Sequence, residues 1–69
     1  MNRYPEMDGV RLKHLRMERA LSQDDLERMT GVAQATISAL EHGKRPARPS
    51  TIRKLAEALG VEPKELMKE

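Results

Sequence analysis

A short row of side chains beginning at residue 34 has the chemistry of a surface that reads hydrogen-bonding groups at close range. If Ile37 and Leu40 face inward on a helix, the outward face carries Gln34, Ala35, Ser38, Ala39 and His42. This face has no Lys, Arg or Glu, although the solvated face of a helix usually carries charge. Small polar and methyl groups suit close contact with the edges of nucleic-acid bases.

Gln34 has the side chain with the greatest capacity for a specific contact in this row. Its amide can both donate and accept, which matches N6 and N7 of adenine in a bidentate pair. The methyl groups of Ala35 and Ala39 can touch thymine methyl groups, and the Ser38 hydroxyl can bond to a base. A solvated glutamine and ordinary helix-forming alanines are the alternatives. We predict base contacts from Gln34, Ala35, Ser38 and Ala39.

Basic residues are concentrated just after this row. Residues 42–54 include five basic residues and no acidic residue, although the whole chain has a net charge of only +2. Such an uneven distribution suits a polyanionic partner, with idle charges on a solvated loop as the alternative. A helix start also favours phosphate, which adds Gln23 to the candidates. We predict phosphate contacts from Gln23, Thr36, His42, Lys44, Arg45 and Arg48.

Five short helices are predicted to position these residues. They cover about residues 9–19, 23–30, 34–41, 51–59 and 63–67, and Pro63 suits the first position of the last one. Asp8, Ser22 and Ser50 are predicted as helix caps, and Ser22 with Asp25 has the spacing of a capping box. The predicted stops are Gly31, Gly43 and Gly60.

Two of these helices have the spacing of a helix-turn-helix unit. Helix 23–30 and helix 34–41 are separated by a tight turn at Gly31 and Val32. Apolar residues are placed to hold them at a steep angle, namely Leu26, Val32, Ile37 and Leu40. Held in this way, the second helix projects and can enter a DNA major groove.

Composition excludes several other classes of function. The chain has 69 residues with one Tyr, no Phe, no Trp and no Cys. A single small core leaves little room for an enclosed catalytic pocket, so we expect no enzyme, no cofactor and no small-molecule ligand. His14 and His42 are too far apart to suggest a metal site. Without a membrane span, a signal-peptide pattern or cysteine, the chain is expected in the cytoplasm.

At the level of motifs, the chain resembles the XRE-type helix-turn-helix family, which includes repressors of the lambda and Cro kind and restriction-modification controllers. The similarity covers residues 9–67. It rests on Leu21-Ser22-Gln23, Leu26, Gly31-Val32, Thr36-Ile37-Ser38, Leu40-Glu41, Gly43-Lys44-Arg45 and the run Leu55-Ala56-Glu57-Ala58-Leu59-Gly60-Val61.

The resemblance implies an all-α fold, a compact five-helix bundle of the lambda-repressor kind. It implies a homodimer on a pseudo-palindromic operator in double-stranded DNA. It also implies that Gln23 braces Gln34, and that Arg16 and Glu41 form an ion pair between helices, with Arg16 beside the phosphate backbone. No membrane partner is expected.

The sequence departs from the family pattern at four positions. Ala20 stands where the family often has Gly, and would be strained in a left-handed conformation. Glu27 replaces a small residue between the helices of the motif, where it loosens the packing or meets a basic partner. Ala33 and Glu62 replace the usual Ser or Thr caps, so that each helix start is expected to be weaker.

The favoured interpretation is a sequence-specific transcriptional regulator, specifically a repressor, of bacterial or phage origin. Residues 1–8 are predicted to form a flexible arm and residues 9–69 the DNA-binding domain. Tyr4 covers the core or joins Arg3 in reaching DNA. The alternatives are a DNA-binding fragment of a larger regulator and an antitoxin-like module that docks a protein. An enzyme is the least supported class.

Overall fold

The computed structural model describes residues 4–68, so that the predicted arm residue Arg3 lies outside the described part. The described elements, in chain order, are α1 (Gly9–Glu18), α2 (Gln23–Thr30), α3 (Gln34–Glu41), α4 (Pro49–Leu59) and a 3₁₀ helix (Pro63–Leu66). The predicted all-α class is confirmed. The count differs, because the fifth element is a single 3₁₀ turn.

The fifth helix is short because the chain straightens directly after it. Met67 has extended backbone angles (φ −108°, ψ 143°) and its N–H donates to the Lys64 carbonyl, three residues back. Pro63 occupies the first turn, as predicted. The Glu65 N–H likewise donates to the Glu62 carbonyl at 3.0 Å, so both bonds are the i→i+3 bonds of a 3₁₀ helix.

Local capping chemistry sets most of the helix boundaries. The Asp8 carboxylate accepts the Arg11 N–H at 3.0 Å at the start of α1. At the start of α2, the Ser22 hydroxyl accepts the Asp25 N–H and the Asp25 carboxylate accepts the Ser22 N–H, both at 2.9 Å. These predicted caps are confirmed. Gly31 ends α2 in the predicted left-handed conformation (φ 77°).

The predicted cap of α4 is wrong. The helix starts at Pro49, one residue before Ser50, and Arg48 occupies the cap position with extended backbone angles. Proline has a fixed φ near −65° and no N–H, so it fits the first turn of a helix, where that N–H would have no partner. Ser50 is therefore already inside the helix.

One aliphatic core lies among all five elements. Its buried members are Met7, Leu12, Leu15, Leu26, Val32, Ile37, Leu40, Ala47, Ile52, Leu55, Ala56, Leu59 and Leu66. α3 contributes Ile37 and Leu40, as predicted, so its opposite face is left for other contacts. The core thus determines which face of α3 points away from the protein.

The N-terminal and C-terminal segments of the described chain pair with each other. Met7 and Met67 form an antiparallel bridge. On either side of it, the Asp8 N–H donates to the Leu66 carbonyl at 2.8 Å and the Lys68 N–H donates to the Glu6 carbonyl at 2.9 Å. Met7 is also buried in the core. Met7 and Asp8 are thus held in place, although the prediction included them in a flexible arm. The boundaries at 1–8 and 9–69 stay predictions.

α1 and α3 meet at their backbones. A Cβ atom added to Gly9 would overlap the Leu40 carbonyl oxygen and lie 2.7 Å from the Glu41 carbonyl oxygen. Only glycine lets the two helices come this close. The contact places the first turn of α1 against the last turn of α3 and so orients α3 from its C-terminal end.

Ala20 stores strain in the link between α1 and α2. It has φ 54°, the left-handed conformation in which a Cβ atom is unfavourable. Ala20→Gly is therefore expected to raise the free energy of unfolding by about 1 kcal/mol, since glycine adopts this conformation at little cost. Urea denaturation followed by circular dichroism measures the change.

A matched variant separates this effect from a general effect of glycine. Ala58 lies inside α4, where glycine disfavours the helix, so Ala58→Gly should lower the free energy of unfolding by about 1 kcal/mol. If Ala20→Gly were destabilising as well, the strain at Ala20 would not be real.

Candidate nucleic-acid interface

The turn between α2 and α3 is held by side-chain and backbone bonds around Thr30. The Thr30 hydroxyl donates to the Leu26 carbonyl at 2.6 Å and accepts the Val32 N–H at 3.0 Å. The Gly31 N–H donates to the Glu27 carbonyl at 2.7 Å. Because Val32 is also buried, the turn is anchored to the core and α3 starts at a defined place.

The outward face of α3 has the predicted residues, with graded exposure. Gln34 and Ala35 are exposed, whereas Ser38 and Ala39 are half-buried. The exposed start of the helix is therefore its most accessible part. Contacts of these four residues with bases stay a prediction.

A chain of hydrogen bonds runs from the interior to Gln34. Arg16 donates through Nε to Glu41 Oε2 at 2.7 Å and through Nη2 to Glu41 Oε1 at 3.1 Å. Glu41 Oε1 also accepts Gln23 Nε2 at 3.0 Å. Gln23 Oε1 then accepts Gln34 Nε2 at 2.6 Å. The contacts implied by the resemblance, Arg16 with Glu41 and Gln23 with Gln34, therefore belong to one network.

The network keeps Glu41 ionised. Burial raises the pKa of its carboxyl, but hydrogen bonds from Arg16 and Gln23 and the charges of Arg16 and Lys13 outweigh burial, so that the pKa lies below its ordinary value. The hydrogen bond with Glu41 likewise raises the pKa of Arg16. Both partners are charged, and the pair bridges α1 and α3.

Glu27 and Ala33, two departures from the family pattern, compensate each other. Ala33 precedes α3 and has no side-chain oxygen to cap it. Glu27 reaches across from α2 instead, and its Oε1 accepts the Gln34 N–H at 3.1 Å. The expectations of loose packing or a basic partner at Glu27 did not include this role, which helps to satisfy the start of α3.

Removing this contact should destabilise the fold, and a local cap should restore it. Glu27→Ala is expected to lower the free energy of unfolding by about 1 kcal/mol, because the start of α3 then loses its only side-chain cap among the described residues. Adding Ala33→Ser supplies a hydroxyl at the cap position. Denaturation of the single and double variants measures both effects, and a double variant no more stable than Glu27→Ala would argue against capping.

One flank of α3 is a shallow basic groove. It is lined by the turn residues 31–33, by Thr36 of α3, and by Arg45, Arg48, Thr51 and Lys54. The predicted site did not include Thr51 and Lys54, although Lys54 belongs to the basic run of residues 42–54. Lys44 lies close by, since its N–H donates to the Ala39 carbonyl at 2.9 Å. Gln23, Gln34 and Arg16 line a second groove on the opposite flank.

His42 sits at the end of α3 with one ring nitrogen engaged. Its Nδ1 lies 2.7 Å from the Ser38 carbonyl oxygen. A carbonyl oxygen only accepts, so Nδ1 is the donor in this contact and Nε2 is left for other partners. A phosphate contact from His42 stays a prediction.

Within residues 4–68, no group of three or more His, Cys, Asp or Glu residues has the arrangement of a metal site. No helix in the same range is long and apolar enough to cross a membrane.

Comparison with known proteins identifies relatives of this arrangement. A family model described as helix-turn-helix matches residues 12–66. The HTH-type transcriptional repressor RghR of Bacillus subtilis is 47% identical over 57 residues, which is 81% of this chain and 42% of RghR. The restriction-modification controller protein C.AhdI of Aeromonas hydrophila superposes with a TM-score of 0.81 at 39% identity, over 86% of this chain and 89% of that one.

A further relative agrees in length as well. The HTH-type transcriptional regulator y4dJ of Sinorhizobium fredii is 39% identical over 59 residues, covering 86% of this chain and 77% of y4dJ. In contrast, the chain spans less than half the length of RghR and of the HTH-type transcriptional regulator RghRB of the same organism, at 42% and 43%.

Proposed function

We propose, because this chain belongs to the XRE-type helix-turn-helix family, that it is a transcriptional regulator that binds double-stranded DNA with α3 in the major groove. The observation that carries the proposal is the position of Gln34. It stands at the exposed start of α3 between a polar groove and a basic groove. A helix presented in this way can place one amide against base edges while its flanks meet the two phosphate backbones.

The side chains on the outward face of α3 differ in length, and so in the base contacts they can make. Gln34 reads an adenine through its amide, and Ala35, Ser38 and Ala39 make shorter contacts with neighbouring bases. The absence of Lys and Arg from this face leaves no side chain for the usual bidentate pair with guanine. The preferred operator is therefore rich in A·T pairs at the positions that α3 covers.

The flanks supply affinity. Arg45, Arg48 and Thr36 share the basic groove, and Lys44 and His42 lie at the C-terminal end of α3. On the other flank, Gln23 opens α2, where the helix dipole favours a phosphate. Arg16 has a side chain that is only 11% exposed, so its main effect is exerted through Glu41 and a phosphate contact from it is secondary.

The assembly on DNA is a homodimer on a pseudo-palindromic operator. Two copies related by a two-fold axis place their α3 helices in successive major grooves, about one helical turn apart. The regulator, bacterial or phage-encoded, acts as a repressor in the cytoplasm, in association with the nucleoid. RghR carries the name repressor and is the basis for that direction of control.

Selection of bound duplexes from a random pool, followed by titration at several salt concentrations, tests the proposal. The logarithm of affinity is expected to fall linearly with the logarithm of salt, by about 0.9 per phosphate contacted. Arg48→Ala should weaken binding to all sequences alike and make the slope shallower by about 0.9, the amount expected for one lost phosphate contact.

The control is Arg28→Ala, which removes one positive charge from an exposed side chain of α2 that lines neither groove. It should leave the slope almost unchanged. Failure to enrich any sequence, together with a slope near zero, would rule out the DNA-binding function and favour a module that docks a protein. One copy bound per selected site would rule out the dimer.

A further inference from the structure

We infer that Glu41 is a positioning residue that orients the Gln34 amide through Gln23, and thereby decides which strand of the operator carries the adenine that Gln34 reads. The inference rests on the proposed function. It concerns a residue that does not touch DNA, and it follows from which groups along the network can donate and which can only accept.

The first link is the Glu41 carboxylate, which can accept hydrogen bonds but cannot donate one. The Glu41 side chain is 2% exposed and receives two bonds from Arg16, which also donates through Nη1 to the Leu21 carbonyl at 2.7 Å. A carboxylate fixed in this way has no proton to give. Gln23, 3.0 Å away, must therefore turn its NH₂ group towards Glu41.

The second link passes this constraint to Gln34. Once the Gln23 NH₂ group faces Glu41, its carbonyl Oε1 faces Gln34. That oxygen accepts the Gln34 Nε2 at 2.6 Å. The reverse orientation of Gln34 would bring two carbonyl oxygens together. Both amides therefore have one favoured orientation, although an isolated glutamine amide has two of nearly equal energy.

The third link is the base. With one Nε2 hydrogen donated to Gln23, Gln34 offers its second N–H and its Oε1. These match adenine N7 and N6, respectively. Exchanging A·T for T·A reverses the order of donor and acceptor along the groove, so a fixed amide fits one arrangement and opposes the other. A freely rotating amide would accept both.

The experiment compares two duplexes that differ only by exchange of A·T for T·A at the base pair that Gln34 reads. That pair is located first as the one whose preference is lost in Gln34→Ala. The parent protein should bind one duplex about 10-fold more tightly than the other, because a bidentate pair discriminates strongly. In Gln23→Met, which keeps the length of the side chain but has no amide, the two affinities should converge.

The direct variant is Glu41→Gln, which keeps the size of the side chain and can present either an oxygen or an NH₂ group to Gln23. The ratio between the two duplexes should fall, with binding measured at a temperature where circular dichroism shows the variant folded. Gln23→Met keeps the test open if Glu41→Gln does not fold. A general loss of phosphate contact would weaken both duplexes and leave the ratio unchanged.

Side-chain amide signals in the nuclear magnetic resonance spectrum of the free protein provide a readout that needs no DNA. The Gln34 NH₂ signals should shift and exchange faster with water in Gln23→Met. If the parent shows a Gln34-dependent preference that either Gln23→Met or Glu41→Gln retains in full, the positioning role of Glu41 is wrong while the proposed function stands. If the parent selects no DNA, the proposed function fails by itself.

Discussion

Glu41→Ala is expected to remove a large part of the stability of the fold. Deleting one partner of a buried ion pair costs about 3–5 kcal/mol, because the other charge is left without compensation in a poorly solvated place. A domain of 69 residues has a free energy of unfolding of roughly 3–10 kcal/mol. Chemical denaturation followed by circular dichroism should show a midpoint at a much lower denaturant concentration than that of the parent protein.

The exposed pair of Arg11 and Glu65 is the matched control. Its N···O distance is 3.2 Å and its side chains are 43% and 38% exposed. Glu65→Ala removes this ion pair and the exposed bond that the Glu62 N–H donates to the Glu65 carboxylate at 3.3 Å, and should still cost only about 1 kcal/mol, since solvent screens exposed pairs. Similar losses for Glu41→Ala and Glu65→Ala would show that burial of the Arg16–Glu41 pair has no energetic consequence.

Gly9→Ala is expected to be the most damaging of the four possible glycine-to-alanine changes, because open space surrounds an added Cβ atom at the other three glycines. The added Cβ atom would overlap the Leu40 carbonyl oxygen, and backbone cannot rotate away as a flexible side chain can. Overpacking in a core costs about 1–3 kcal/mol even where side chains adjust. We expect a loss at or above the upper end of this range, because α1 and α3 must separate.

Gly43→Ala is the control for this clash. Gly43 has φ 68° and open space around the position of an added Cβ atom, so alanine there meets strain without collision. It should cost about 1 kcal/mol. Thermal and urea denaturation of both variants decides the matter, and equal losses would mean that the close approach of α1 to α3 yields easily.

The parts of the fold that sequence predicts well are those fixed by neighbours in the chain. Asp8 and Ser22 have their bonding partners three residues away, so the helix starts they cap were predicted correctly. α3 likewise begins at Gln34 and ends at Glu41, as its apolar spacing indicated. At α4 two local signals competed, and proline at the first position prevailed over the serine that follows it.

The parts that were missed depend on residues distant in sequence. Glu27 caps α3 from another helix, seven residues before Gln34, and no local pattern marks such a contact. The bridge between Met7 and Met67 joins opposite ends of the described chain and draws Met67 out of the predicted fifth helix. Only the assembled fold creates these pairings.

In the candidate site, too, features set by local sequence were predicted and features that depend on the assembled fold were not. The role of Gln34 is a prediction from its own chemistry and its place on the helix, and the contacts of Gln23 with Gln34 and of Arg16 with Glu41 were implied by a resemblance to a family. The bond between Gln23 and Glu41, which joins the two pairs, was not predicted. It depends on the relative placement of α2 and α3, and that placement comes from packing of the core.

The pairing of the segments around residues 6 and 68 gives both segments the same neighbourhood on the surface. The Lys68 N–H donates to the Glu6 carbonyl, and both residues line a shallow groove with Lys44 and Arg45. A fluorescent label attached at either residue therefore lies beside the basic loop that contains Lys44 and Arg45. Such a label needs a long spacer if that loop is to stay accessible.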